Sequence, residues 1–168
     1  MRDFFYPQTV AEVKSKINGL IRVSKYRGQY SLWVGGFEQS GPVYVAKVWK
    51  KALEKVSGTP KTALILGLGG GTLVGLLTQN WPNTKITGVE IDPVMIALGK
   101  KYFGLGEYKN LKIIRADARK YRPTRPFDLV LADAYLGNKK VSRENLKKLG
   151  KVVLSNSLRG TKNAVELV

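Results

Sequence analysis

The stretch Ala63-Leu64-Ile65-Leu66-Gly67-Leu68-Gly69-Gly70-Gly71-Thr72 constrains the fold more than any other part of the chain. The apolar run ending at Leu66 reads as a strand, Thr62–Leu66, buried on both faces. The glycines let the backbone turn sharply, and a helix is predicted from Thr72 to Gln79, stopping before Pro82. A helix that opens there presents unpaired N–H groups to any polar or anionic group at the turn. The alternation then continues. Strands are predicted at Lys85–Glu90, Leu111–Arg115, Phe127–Asp133 and Lys151–Asn156. A helix starts at Asp92-Pro93, an N-cap followed by proline at the first helical position, and runs to about Phe103. Ser142 caps a short helix to Leu149, and the polar link from Tyr135 to Ser142 is too short for a full one. Strands alternating with helices dictate βαβ units and a parallel sheet with right-handed crossovers.

The first sixty residues have a different rhythm, so we divide the chain into 1–60 and 61–168. Thr9-Val10-Ala11-Glu12 has the spacing of a capping box, which predicts a short helix to about Lys16. Ile17–Val23 and Gln29–Val34 read as two strands joined by a turn at Tyr26-Arg27-Gly28, a small β-hairpin that Gly35-Gly36 ends. Ser40-Gly41-Pro42 opens a linking helix. Its apolar positions Val45, Val48, Trp49, Ala52, Leu53 and Val56 recur at helical spacing until Gly58-Thr59-Pro60.

Chemistry in such a chain has few sources. Cysteine and histidine are both absent. That excludes a disulfide framework, thiolate or histidine catalysis and most zinc sites, and we expect no metal. Carboxylates, Lys, Tyr, the backbone or a cofactor must supply the rest. The acids are scarce, 12 against 29 Lys and Arg, yet three of them end neighbouring strands. Glu90 ends the second strand, Asp117 follows the third and Asp133 ends the fourth. The carboxyl edge of an open α/β sheet is where ligands bind, so we read these three as one site. Glu90 lies twenty-three residues after Gly67, where an acidic side chain can accept both hydroxyls of a ribose. Asp92 and Asp128 we read as structural, a helix cap and a strand start.

The net charge of +17 is spread along the chain, not gathered in a block. No stretch interleaves aromatics and basic residues densely enough to form a stacking platform. We therefore expect a solvated basic surface with weak, salt-sensitive attraction to nucleic acid. No apolar run reaches the ~18 residues a membrane span needs, and Met1-Arg2-Asp3-Phe4 lacks the order of a signal peptide. A cytoplasmic protein with no membrane partner is the expectation.

The run from Leu64 through Phe103, with Ala116-Asp117-Ala118 and Phe127-Asp128-Leu129-Val130-Leu131-Ala132-Asp133-Ala134, resembles the class I S-adenosylmethionine-dependent transferases. Within them it is most similar to spermidine synthase-like proteins. Val89-Glu90-Ile91-Asp92-Pro93, Lys100-Lys101-Tyr102-Phe103 and the hairpin leading to Gly36-Phe37-Glu38-Gln39-Ser40-Gly41 carry that narrower likeness, which covers about residues 17–157. The resemblance implies a Rossmann-like sheet with strand order 3-2-1-4-5. It implies that Gly67, Gly69 and Gly71 line the methionine part of S-adenosylmethionine or its decarboxylated form. Glu90 would hold the ribose, and Asp117, with Ala118 beside it, the adenine amino group. Asp133 would be catalytic, and Gln39, Tyr44 and Tyr135 would border the acceptor.

Three departures bear on the reaction. Aminopropyltransferases carry an aspartate at the place of Gly69 and a second one at the place of Leu136. Their sheet also continues with two more strands, whereas this chain ends at Asn163-Ala164-Val165-Glu166-Leu167-Val168. The first two departures favour methyl transfer to an unknown small-molecule acceptor. Aminopropyl transfer to a polyamine and a non-catalytic nucleotide- or nucleic-acid-binding domain are the alternatives. The third leaves the last strand's edge open, which predicts a homo-oligomer unless Val165–Val168 covers that edge.

Overall fold

The computed structural model describes residues 5–136, 139–156 and 165–168. Met1–Phe4, on which the signal-peptide reading rests, and Gly137-Asn138 of the link after Tyr135 lie outside the described residues. The chain begins with four antiparallel strands in spatial order: β1 (Gln8–Ser15), β2 (Gly19–Tyr26), β3 (Gln29–Val34) and β4 (Phe37–Ser40). β1 corrects the expected N-terminal helix. Thr9, Val10 and Val13 are β-branched, and pairing with β2 uses them better than an isolated turn of helix would. Glu12, read as the far side of a capping box, sits directly opposite Arg22 and accepts from its Nε at 2.6 Å. β4 was not anticipated either, because four residues with one apolar side chain carry no periodic signal. The hairpin is thus the centre of a four-stranded sheet.

After α1 (Val45–Leu53), which starts later than Ser40-Gly41-Pro42 suggested, the βαβ part follows. It runs β5 (Thr62–Leu66), α2 (Thr72–Asn80), β6 (Lys85–Glu90), α3 (Pro93–Tyr102), β7 (Leu111–Arg115) and β8 (Phe127–Ala132). The two-residue strands β9 (Tyr135–Leu136) and β10 (Lys139–Lys140) pair with each other where no full helix was expected. α4 (Arg143–Lys147), β11 (Gly150–Asn156) and β12 (Val165–Leu167) complete the chain. The large sheet has the order β12-β11-β8-β5-β6-β7. Its five parallel strands reproduce the expected 3-2-1-4-5. β12 runs antiparallel to β11 over Leu154–Asn156, so this stretch of edge is covered from within the chain.

Alternate residues of β5 face opposite cores. Ala63 and Ile65 pack with α1 and α2, while Leu64 and Leu66 pack with Leu146, Leu149 and Val153. That explains the unbroken apolar run, since both faces are covered. A third core joins the two sheets: Ile21, Val23, Leu32 and Val34 pack on Met95 and Leu98 of α3. Asp92 reinforces the junction. It caps α3 through Val94 N and also accepts from Ser15 Oγ and Asn18 Nδ2. No helix among the described residues is long and apolar enough to cross a membrane.

Asp128 ties the starts of three strands. It accepts from Lys61 N and Thr62 N, both at 3.0 Å, and from Lys151 Nζ at 2.8 Å. The Lys151 ammonium, then the Thr62 amide, hold its carboxyl down to about 2. A depressed carboxyl stabilises the fold above its unfolded value near 3.8 and loses that contribution as pH falls toward 2. Asp128→Asn is therefore expected to lower Tm at neutral pH, with the gap to wild type closing between about pH 4 and pH 2. A gap that persists at pH 2 in thermal scans would rule this linkage out.

Candidate active site at the carboxyl edge of the sheet

The parallel register brings five strand ends to one edge. Leu66 pairs with Val89 and with Ala132, Glu90 pairs with Arg115, and Ser155 pairs with Ala132. The next residues, Gly67, Ile91, Asp133, Ala116 and Asn156, therefore surround one space. This is a cavity of about 490 Å³ that also reaches the N-terminal sheet.

The glycine loop makes its floor. Gly67 has φ +85°, and its N–H donates to Val89 O at 3.0 Å. A Cβ here would lie 2.8 Å from the backbone of Asp133 and Ala134. Gly69, at φ +55°, lies under the end of β4, where a Cβ would meet Ser40 Oγ at 2.9 Å and Gln39 O at 3.1 Å. Ser40 Oγ itself accepts from Gly70 N at 2.7 Å. The loop is thus clamped between β8 and β4, and both glycines line the cavity. Gly71 does not line it. It is the residue before α2, packed so closely on Leu105 that a Cβ would come within 2.5 Å of Cδ1.

Glu90 is 8% exposed. Its Oε1 accepts from Ile91 N and Asp92 N, and its Oε2 from Gly69 N at 3.0 Å. Burial raises its pKa above the ordinary carboxylate value, against the pull of those three N–H groups. Asp117 stands across the cavity. Arg119 grips it through Nε and Nη2, the latter at 2.6 Å from Oδ2, and adds its own backbone N–H. The Arg119 guanidinium holds the Asp117 carboxyl below the usual range. Ala118 is buried beside it and lines the same space.

Asp133 receives Trp49 Nε1 on Oδ2 at 3.0 Å and Asn156 Nδ2 on Oδ1 at 2.8 Å. Each oxygen is thereby fixed in direction. Tyr135, close by, donates its hydroxyl to Asn156 O. Gln39, Tyr44 and Tyr135 all line the cavity. Phe37 and Tyr44, 46% and 57% exposed, stand where it opens.

Four contributors were missed in the sequence. Trp49 reads there only as one member of the apolar stripe of α1. Asn156 is a polar residue closing an apolar strand on the same edge as Asp133, a signal that could have been used. Arg119 was one basic residue among many. Glu38 accepts from Ser31 Oγ, Tyr44 N and Val45 N, and so caps α1 from β4. A capping residue six positions upstream has no local sequence pattern.

Comparison with known proteins agrees with this geometry. Residues 63–154 match the methyltransferase domain family. An eEF1A lysine and N-terminal methyltransferase of Mus musculus is 38% identical over 63 residues, covering 38% of this chain and 9% of that protein. A polyamine aminopropyltransferase of Vibrio vulnificus is 34% identical over 83 residues, covering 46% of this chain and 28% of that protein. The chain thus spans well under half the length of these curated relatives. Among solved structures, a probable spermidine synthase from Corynebacterium glutamicum superposes with a TM-score of 0.65 at 14% identity, over 88% of this chain and 63% of that one. Such coverage takes in the N-terminal sheet as well as the βαβ part. Since the family match extends over more than half of its residues, the chain belongs to the class I S-adenosylmethionine-dependent methyltransferase family, with a spermidine synthase-like fold.

Proposed function

We propose that the chain binds S-adenosylmethionine in this cavity and directs its methyl group to an acceptor held beside Asp133. The observation that carries the reading is the convergence of Gly67, Gly69, Glu90, Asp117, Ala118 and Asp133 on one cavity. The residues fit the cofactor. The loop offers, at Gly67 and Gly69, a surface without side chains for the methionine end. Glu90 Oε2, with Gly69 N as its one partner among the described residues, has room to accept a ribose hydroxyl. Asp117 and Ala118 border the place for the base. When bound, S-adenosylmethionine supplies a methyl group already activated by its sulfonium. The protein's task is then to position the acceptor and exclude water. Asp133, aimed by Trp49 and Asn156, orients the acceptor or takes its proton. We place the reaction in the cytoplasm, in line with a chain that carries no cysteine.

Aminopropyl transfer from decarboxylated S-adenosylmethionine is the second reading. The fold likeness to a spermidine synthase, which includes the N-terminal sheet, favours it. Calorimetric titration with S-adenosylmethionine, its decarboxylated form and methylthioadenosine tests both. Glu90→Ala is expected to weaken S-adenosylmethionine binding by about 1–3 kcal/mol, the scale for hydrogen bonds to a charged group. Equal affinity in wild type and variant would remove Glu90 from the site. Asp133→Asn is expected to keep binding and lose turnover, which separates the catalytic readings from a binding-only domain.

A further inference from the structure

The charges around the cavity are segregated. Four of the chain's 12 acids line it: Glu38, Glu90, Asp117 and Asp133. Of the 29 basic residues only Arg119 does so among the described residues, and it is paired with Asp117. The bases stand outside. Lys16, Lys47, Lys120 and Arg122 are exposed, each within three residues of a cavity-lining position. An acidic interior inside a basic rim suits a ligand whose reacting group is an uncharged nucleophile and whose remainder is polyanionic.

The walls of the opening are flat and aromatic. Phe37 and Tyr44 are exposed, and Trp33 is pinned by its Nε1 donating to Ser24 Oγ at 2.9 Å. At the inner end Asn156 is 8% exposed, and its Oδ1 has no hydrogen-bond partner among the described residues. The amide cannot be turned round, because its Nδ2 must face the acceptor-only carboxylate of Asp133. The amide oxygen is itself buried, so the acceptor the wall presents is the Asp133 carboxylate, which can take a proton but not give one. A carboxylate acceptor would be repelled there. A simple phenol brings no polyanionic remainder for the basic surface. A flexible aliphatic amine is cationic at neutral pH, is opposed by the basic rim and has no use for a stacking surface. A planar neutral amine on a phosphate backbone meets the carboxylate, the aromatic walls and the basic surface together.

We propose that the acceptor is the exocyclic amine of a nucleobase in single-stranded or locally opened nucleic acid. The base stacks between Phe37, Tyr44 and Trp33, and the backbone phosphates lie on the basic rim. This rests on the methyl-transfer reading above. The nitrogen gains the methyl group as the sulfur–carbon bond breaks. The sulfonium becomes a thioether, and the proton displaced from nitrogen passes to Asp133 and on to water.

The test uses the intact chain and two probes. The first is tritium-labelled S-adenosylmethionine with random-sequence single-stranded RNA and DNA 20-mers, digested to nucleosides. Label is expected on the bases of adenosine, cytidine or guanosine and not on uridine or thymidine, which have no exocyclic amine. The second is a 20-mer with a single 2-aminopurine. Its fluorescence is expected to fall on binding, and binding to weaken about tenfold or more between 50 and 200 mM salt. Phe37→Ala, at an exposed position that leaves the core untouched, is expected to lose most of the quench. If calorimetry shows S-adenosylmethionine binding but no 20-mer is labelled, or uridine is labelled equally, or putrescine is preferred, the nucleobase proposal is wrong and methyl transfer stands. If S-adenosylmethionine does not bind, both readings fall.

Discussion

Gly67→Ala is expected to destabilise the fold by about 2–5 kcal/mol, combining the cost of a left-handed conformation at a residue with Cβ and the cost of overpacking. The new Cβ would lie 2.8 Å from Ala134 Cα, Ala134 N and Asp133 C. All three are backbone atoms, so no rotamer relieves the contact. Either the glycine loop lifts off Val89, to which Gly67 N is bonded, or the link carrying Asp133 moves. Both break the cavity. A domain of this size should lose roughly 5–15 °C in Tm, and any S-adenosylmethionine binding should fall with it. Gly58→Ala is the control. Gly58 also has a positive φ, +76°, but nothing lies within 4 Å of its added Cβ. Its cost should stay near the conformational share alone, about 1 kcal/mol. Equal Tm losses in the two variants would show that the close approach to β8 is not what fixes Gly67.

The difference between those two glycines also shows how far the sequence could be read. Strands β5, β6 and β7 match their predicted limits: β5 is an apolar run between Lys61 and Gly67, and the other two are short stretches with β-branched residues that begin or end at Asn, Pro or charged neighbours. The carboxyl edge followed from topology, and with it the placement of Glu90, Asp117 and Asp133. The N-terminal sheet was only half legible. A four-residue capping-box pattern is satisfied by chance more easily than an eight-residue pairing, and tertiary pairing decided β1. β4 exists because Glu38 bonds Ser31 and the α1 terminus, and because Ser40 reaches Gly70. These contacts span up to thirty residues of sequence and leave no local trace. The same holds for the side chains that aim Asp133. Trp49 comes from 84 residues upstream and Asn156 from 23 downstream. The sequence located the carboxylate but not its partners.

The chain is expected to bind intact S-adenosylmethionine at least tenfold more tightly than the decarboxylated form, a difference of about 1.4 kcal/mol or more. The reason lies at Gly69. An aspartate there, as the related aminopropyltransferases carry, would repel the carboxylate of the intact cofactor and attract the bare amine of the other. At ~4 Å two unit charges interact by about 4 kcal/mol at an effective dielectric of ~20. Gly69 removes that repulsion. The fold adds a steric reason. With Ser40 Oγ 2.9 Å and Gln39 O 3.1 Å from a Cβ at this position, the end of β4 fills the ground a side chain would need. Gly69→Asp is therefore expected to cost stability and also to reverse the cofactor order. Gly69→Asn separates the two effects, because it has the same shape, carries no charge and shares the tolerance of Asp for positive φ. Titrating the wild type and both variants with the two cofactors should give a preference that changes sign with Asp and merely weakens with Asn. A wild type that prefers the decarboxylated cofactor would overturn methyl transfer. Identical preferences in Gly69→Asp and Gly69→Asn would show that charge at this position does not choose the cofactor.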